Sequence, residues 1–204
     1  PLWLKRKNHF KRFRDVFFRM SDRYSGIGDV PYENYEMIVT GSDQTFNRNY
    51  GFTDVYFQPF NKSNNQKKIA YAPSFGSMSL SLLHEDDIAK LGDFDSISCR
   101  EVDAASALSS LLNRNVPVVF DPVFLTKKDE WRQFVDKTYK RNPYVFVYDL
   151  NARDNVLKIA REKFPDHEIV MYSNDPLGTV KMRGRGISFV QGASVEDFLT
   201  LIYH

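Results

Sequence analysis

Apolar residues along this chain gather in short blocks, each closed by a polar turn. Met37-Ile-Val-Thr40 is a β-branched block stopped by Gly41, the pattern of a buried strand. Lys68-Ile-Ala-Tyr-Ala72, Ser96-Ile-Ser-Cys99 and Val116-Pro-Val-Val-Phe120 repeat the pattern. Helical spacing appears between them. Leu82, Leu83, Ile88 and Leu91 mark a helix over residues 80–91, and a second runs from about Val102 to Leu112. Strands alternating with helices predict a parallel α/β sheet. Residues 125–142 are charged and helical, with Trp131 and Phe134 on one face. The order then restarts. Tyr144-Val-Phe-Val-Tyr148 is strongly β, Val156–Lys163 is helical and stops before Pro165, and Glu168-Ile-Val-Met-Tyr172 is another strand. Ser194, with Glu196 and Asp197 behind it, opens a last helix as its N-cap. The restart divides the chain into a first domain over residues 1–125, an interdomain helix or linker over 126–142, and a second domain over 143–204.

The first series of strands ends on polar clusters: Gly41-Ser42-Asp43-Gln44, Pro73-Ser74, Arg100-Glu101 and Asp121-Pro122. In an open α/β sheet, ligands bind beyond the carboxyl ends of the strands. One such ending reads as a turn. Several on one sheet edge form a crevice. Hydroxyl, carboxylate, amide and guanidinium groups at that edge are suited to holding a sugar or an anion, or to moving a proton.

Residues 2–23 form a basic helix with an aromatic face, in which Trp3, Phe10 and Phe17 recur at heptad spacing beside Phe13 and Met20. It reads as a helix packed on its own domain. The alternative lays it on an anionic membrane surface. His84-Glu-Asp-Asp87 is a list of metal-ligating types, but on a helix these side chains diverge, and they read as an acidic first turn. Met182-Arg-Gly-Arg-Gly186 is a single glycine-basic stretch that reads as a loop. The net charge of +2 gives no argument for nucleic acid. The single cysteine, Cys99, excludes an internal disulfide and fits a reducing compartment. The chain lacks an initiator methionine and stops inside the apolar run 198–204, so it reads as a piece of a longer protein.

Four motifs in series carry a resemblance: Gly41-Ser-Asp-Gln44 with Asn47; Ile69-Ala-Tyr-Ala-Pro-Ser-Phe-Gly76; Ile97 through Arg100-Glu101; and Asp121-Pro-Val-Phe-Leu125 with Trp131. In order and spacing they resemble the polysaccharide pyruvyl transferase family, from about residue 10 onward. Phe46 stands where that family favours tryptophan. A glycine-rich segment upstream of Pro1 and an Asp-Ser-Phe-His-Gly segment downstream of His204 are expected from the family and lie outside this sequence.

The resemblance implies two Rossmann-like domains of glycosyltransferase-B-like architecture, both incomplete here. It implies transfer of the enolpyruvyl group of phosphoenolpyruvate to a sugar hydroxyl pair, making a pyruvate ketal on a cell-surface glycan or its lipid-linked precursor. The expected setting is cytoplasmic, with the inner face of the membrane as a neighbouring site. On this reading Arg100 holds the anionic donor, and Glu101 orients Arg100. Asp43 is the general base, and Ser42, Gln44, Asn47 and Ser74 hydrogen-bond sugar or phosphate. No metal or other cofactor is expected. The general acid is expected in the missing histidine segment, so this stretch alone is expected to be inactive. The alternatives are a nucleotide-sugar glycosyltransferase of the same architecture, or a non-catalytic remnant.

Overall fold

The computed structural model describes residues 2–47, 49, 54–63, 65–76, 80, 83–139, 141–149, 154–173 and 186–204. Two three-stranded sheets are present among them, and every strand pairing is parallel. The protein is therefore an α/β protein built on parallel sheets. It divides into two compact units, one of Asp22–Thr126 and one that joins Pro1–Ser21 to Lys127–His204.

In the Asp22–Thr126 unit, β1 (Met37–Thr40), β2 (Lys67–Ala70) and β3 (Ser96–Ile97) lie in chain order. Met37 sits opposite Lys67, and Ala70 opposite Ile97. The sequence predicts a buried β1, and the structure corrects this. Met37 and Val39 are each about half exposed, at 55% and 51%, whereas Thr40 is buried. Successive side chains of β1 point to opposite faces of the sheet, and the face bearing Met37 and Val39 is open to solvent. The strand's inner side is held by Gln58, whose Nε2 donates to the Ile38 and Ile69 carbonyls at 3.0 and 3.1 Å. The run 116–120 joins the sheet through a single bridge, Val118 with Cys99, rather than as a full strand. Helices α2 (Glu85–Gly92) and α3 (Val102–Leu111) follow β2 and β3. Helix α2 begins five residues later than the apolar spacing suggests, because Asp87 accepts the His84 amide at 3.0 Å and closes a cap there. The acidic run is thus a helix start.

Phe46 is the centre of this unit's core. It is fully buried and has Phe57, Phe75 and Phe94 around it at ring-centroid distances of 5.3, 5.6 and 6.2 Å. These rings come from the stretches after β1, before β2, after β2 and before β3. The aromatic packing therefore fixes the loops that leave the sheet.

In the other unit, β4 (Tyr144–Tyr148), β5 (Glu168–Tyr172) and β6 (Ile187–Val190) form the second sheet, also in chain order. Helix α5 (Asp154–Lys163) connects β4 to β5, and α6 (Val195–Tyr203) follows β6. Ser194 caps α6 as predicted, its Oγ accepting the Asp197 amide at 3.0 Å. Met182 to Arg185 lie outside the described residues. The predicted helix over 125–142 is reduced to one turn, α4 (Lys128–Trp131). The chain leaves the helix at Arg132, and further on Asp136 Oδ1 accepts the Thr138 amide and hydroxyl at 2.8 and 2.7 Å, a local turn in place of helix. Helix α1 (Leu2–Phe17) also ends earlier than expected. Phe13 and Phe17 pack on Phe134, at 5.6 and 4.9 Å, while Phe10 and Met20 are exposed. The aromatic face is thus only partly used for packing. No described helix is long and apolar enough to cross a membrane.

Two predictions follow from these contacts. Phe46→Ala leaves a ring-sized hole and should destabilise the unit by about 3–5 kcal/mol in urea unfolding; a change under about 1 kcal/mol would contradict the packing described. The second concerns Glu168, whose carboxylate is gripped by Arg141 and accepts the Ser188 hydroxyl at 2.6 Å. These contacts, Arg141 first, lower its pKa from the ordinary 4.5 to about 2. A depressed carboxyl pKa stabilises the fold above the unfolded value, and that contribution is lost as pH falls from about 4.5 toward 2. The melting temperature should drop through that window, and Glu168→Gln should flatten the drop.

Candidate functional site

Parallel pairing turns the carboxyl ends of β1, β2 and β3 to one edge. Just past β1, Asp43 has φ +85°, in the left-handed region that side chains other than Gly, Asn and Asp rarely adopt. Ala72 does the same past β2, with φ +53°. The two turns are joined to each other. Asp43 bridges Pro73, and the Asp43 carbonyl accepts the Ser74 amide at 2.8 Å. The Arg100 amide, past β3, donates to the Pro73 carbonyl at 3.3 Å. Pro73 therefore stands between the backbones that carry Asp43 and Arg100. Residues held in sparsely populated backbone regions collect at functional sites, at a cost of order 1–3 kcal/mol each.

The side chains form three groups. In the first, Asp121 is the hub. Its Oδ2 accepts the Ser42 hydroxyl at 2.6 Å and Arg100 Nη1 at 2.7 Å, and its Oδ1 accepts the Val123 amide at 3.0 Å. These contacts, led by the Ser42 hydroxyl, hold the Asp121 carboxyl below the usual carboxylate range. In the second, the Ser74 hydroxyl donates to Glu101 Oε1 and accepts the Gly76 amide at 2.9 Å. Glu101 Oε2 is buried without a hydrogen-bond partner among the described residues. In the third, Asn47 Nδ2 donates to Gln44 Oε1, and both lie against Gly76. Asp43 stands apart: its side chain is exposed and makes no hydrogen bond among the described residues.

All of the sequence-named residues, Ser42, Asp43, Gln44, Asn47, Ser74, Arg100 and Glu101, thus lie in the turns at this edge. Their partners differ from expectation in one respect. The sequence points to Glu101 as the acid beside Arg100, yet the structure gives that contact to Asp121. Glu101 turns instead to Ser74. Asp121 was legible as the polar end of the fourth apolar run, but its reach back to Ser42, 79 residues earlier, was not. Cys99, beneath the edge, is buried, and burial with the nearby Glu101 charge pushes its pKa up to about 12. It is a packed thiol and not a thiolate nucleophile. Among the described residues no three His, Cys, Asp or Glu side chains come together as metal ligands.

The family model of the polysaccharide pyruvyl transferases matches residues 2–156. The chain belongs to the polysaccharide pyruvyl transferase family. No match was found among curated proteins or among solved structures. Membership makes the protein one of a family of transferases, with a polysaccharide as acceptor. The matched residues include the whole edge from Gly41 to Asp121, so the convergent turns belong to the family's own domain.

Gly76 tests whether the edge is as tightly built as it looks. Its φ is +58°, and a Cβ there would lie 2.2 Å from Gln44 Oε1 and 2.7 Å from Asn47 Nδ2. Gly76→Ala should cost roughly 1–3 kcal/mol in chemical unfolding, because the backbone region is unfavourable and the Gln44–Asn47 pair must move. Unchanged stability would show that the pair is loosely held.

Proposed function

We propose that this edge holds phosphoenolpyruvate for transfer of its enolpyruvyl group to a sugar hydroxyl pair, forming a pyruvate ketal on a cell-surface polysaccharide or its lipid-linked precursor. The observation that carries the reading is Arg100. It sits at a strand's carboxyl end, in a family of pyruvyl transferases, with only Nη1 engaged among the described residues. Phosphoenolpyruvate presents a carboxylate and a phosphate, and a planar guanidinium matches either one through two parallel hydrogen bonds.

The reaction adds a proton to the methylene carbon of the enol and joins two sugar oxygens to the neighbouring carbon. The bond from that carbon to the phosphate oxygen breaks, and inorganic phosphate leaves. The sugar hydroxyls must lose their protons. Asp43 is the candidate base, and three features support it: an exposed carboxylate, no partner among the described residues, and a backbone pinned beside Pro73. Ser42, Gln44, Asn47, Ser74 and Glu101 keep the turns in shape through the hydrogen bonds among them and to Asp121. We take the two parallel sheets as parts of two Rossmann-like domains of glycosyltransferase-B-like architecture. Phosphoenolpyruvate as donor fits a cytoplasmic reaction with no added cofactor. The basic helix α1 would then be available to the inner face of a membrane bearing the acceptor.

Phosphate release from phosphoenolpyruvate by the full-length protein, with a panel of hexose acceptors, tests the reading. Nucleotide release from a nucleotide sugar, with none from phosphoenolpyruvate, would overturn it. Two variants separate the roles. Arg100→Lys should raise the donor KM strongly, since losing a charge-assisted contact of this kind costs on the order of 2–5 kcal/mol. Asp43→Asn keeps a residue tolerant of positive φ and should lower kcat by roughly a hundredfold or more, with donor KM little changed. Normal donor KM in the first, or full turnover in the second, would return that residue to a structural role.

A further inference from the structure

We infer that Asp121 is a positioning residue for the donor: it grips Arg100 at Nη1 and so keeps the Nε and Nη2 edge of the guanidinium open for an anionic group. The inference rests on the donor reading given above.

The contact is one-sided. Asp121 and Arg100 meet through Oδ2 and Nη1 alone, at 2.7 Å, not through the paired fork that arginine and carboxylate often form. Among the described residues, Nε and Nη2 of Arg100 have no hydrogen-bond partner. A guanidinium carries five N–H donors, and the Nε–Nη2 pair is one of the edges that accepts a carboxylate or phosphate in parallel. The reason for the one-sided grip lies in what else Asp121 binds. Its Oδ2 is shared with the Ser42 hydroxyl at 2.6 Å, and its Oδ1 is taken by the Val123 amide at 3.0 Å. With Oδ1 turned to the Val123 amide, the carboxylate meets Arg100 through Oδ2 alone.

A carboxylate beside an anion-binding arginine also has a cost, because it offsets the positive charge. Both side chains are about 30% exposed, at 28% and 31%, so solvent screens much of that opposition. Orientation is screened much less. An arginine has a long, freely rotating stem, and its ordering entropy is otherwise lost when the donor binds. Holding Nη1 in advance removes part of that loss. Ser42 supports the same brace from the β1 turn, which couples the Asp43 loop to the arginine.

The experiment is steady-state kinetics on the full-length protein, varying phosphoenolpyruvate and acceptor separately, with unfolding curves as a fold control. Asp121→Ala should raise the phosphoenolpyruvate KM by about tenfold or more and leave the acceptor KM unchanged. Asp121→Asn, which retains an acceptor oxygen, should recover part of the loss. Ser42→Ala should shift KM in the same direction by less. The double variant Asp121→Ala with Arg100→Lys should be no worse than Arg100→Lys alone, since both act through one guanidinium. An unchanged donor KM overturns the inference. A lowered one does so too, because Asp121 would then merely neutralise Arg100. If Asp121→Ala does not fold, Asp121→Asn and Ser42→Ala carry the comparison. Wild-type protein that releases no phosphate from phosphoenolpyruvate defeats the donor reading and this inference with it, whereas wild-type turnover with unmoved KM in the variants defeats the inference alone.

Discussion

A single carboxylate oxygen, Asp121 Oδ2, ties together the ends of the first sheet. It receives Ser42 from the turn after β1 and Arg100 from the turn after β3, residues that lie 79 and 21 positions away in sequence. Neither contact is possible unless the parallel register first brings those turns to the same edge. The register in turn depends on the loops between strands being folded back, and the rings around Phe46 do that. Packing sets the register, the register gathers the turns, and the shared oxygen then fixes which donors are spent and which remain.

The consequence is a division of labour among polar residues of similar type. Ser74, Gln44 and Asn47 are satisfied by one another, by Glu101 or by the backbone, and Ser74 and Asn47 are almost fully buried. Buried polar groups without partners are costly, so such internal pairing is the usual outcome. Asp43 and one edge of Arg100 are left without partners among the described residues. The proposed transfer needs one group to take a proton and another to hold an anion, and these two have the matching chemistry.

Parallel α/β organisation could be read from the sequence because apolar blocks of strand length alternate with helical spacing. So could the polar edge, since each block ends in residues that a strand does not favour. The family likeness was equally legible, in four spaced motifs. What the sequence did not reveal was set by tertiary contact. Met37 and Val39 look like core residues, yet they share the face of β1 that is open to solvent. The charged stretch 125–142 has helical composition, yet Asp136 bonds Thr138 and turns the chain. Glu101 adjoins Arg100 in sequence, but neighbours along a strand end point apart, and the partner arrives from Asp121. For Arg100 and Glu101 the residue type was informative and the partner was not, because partners at this edge come from distant segments.

The most direct test of the account is a crystal structure of the full-length protein with phosphoenolpyruvate bound. The account predicts the donor beyond the carboxyl ends of the first sheet, with its carboxylate or phosphate hydrogen-bonded to Nε and Nη2 of Arg100 while Nη1 stays on Asp121. A donor bound elsewhere, with Arg100 contacting Asp121 alone, would contradict it.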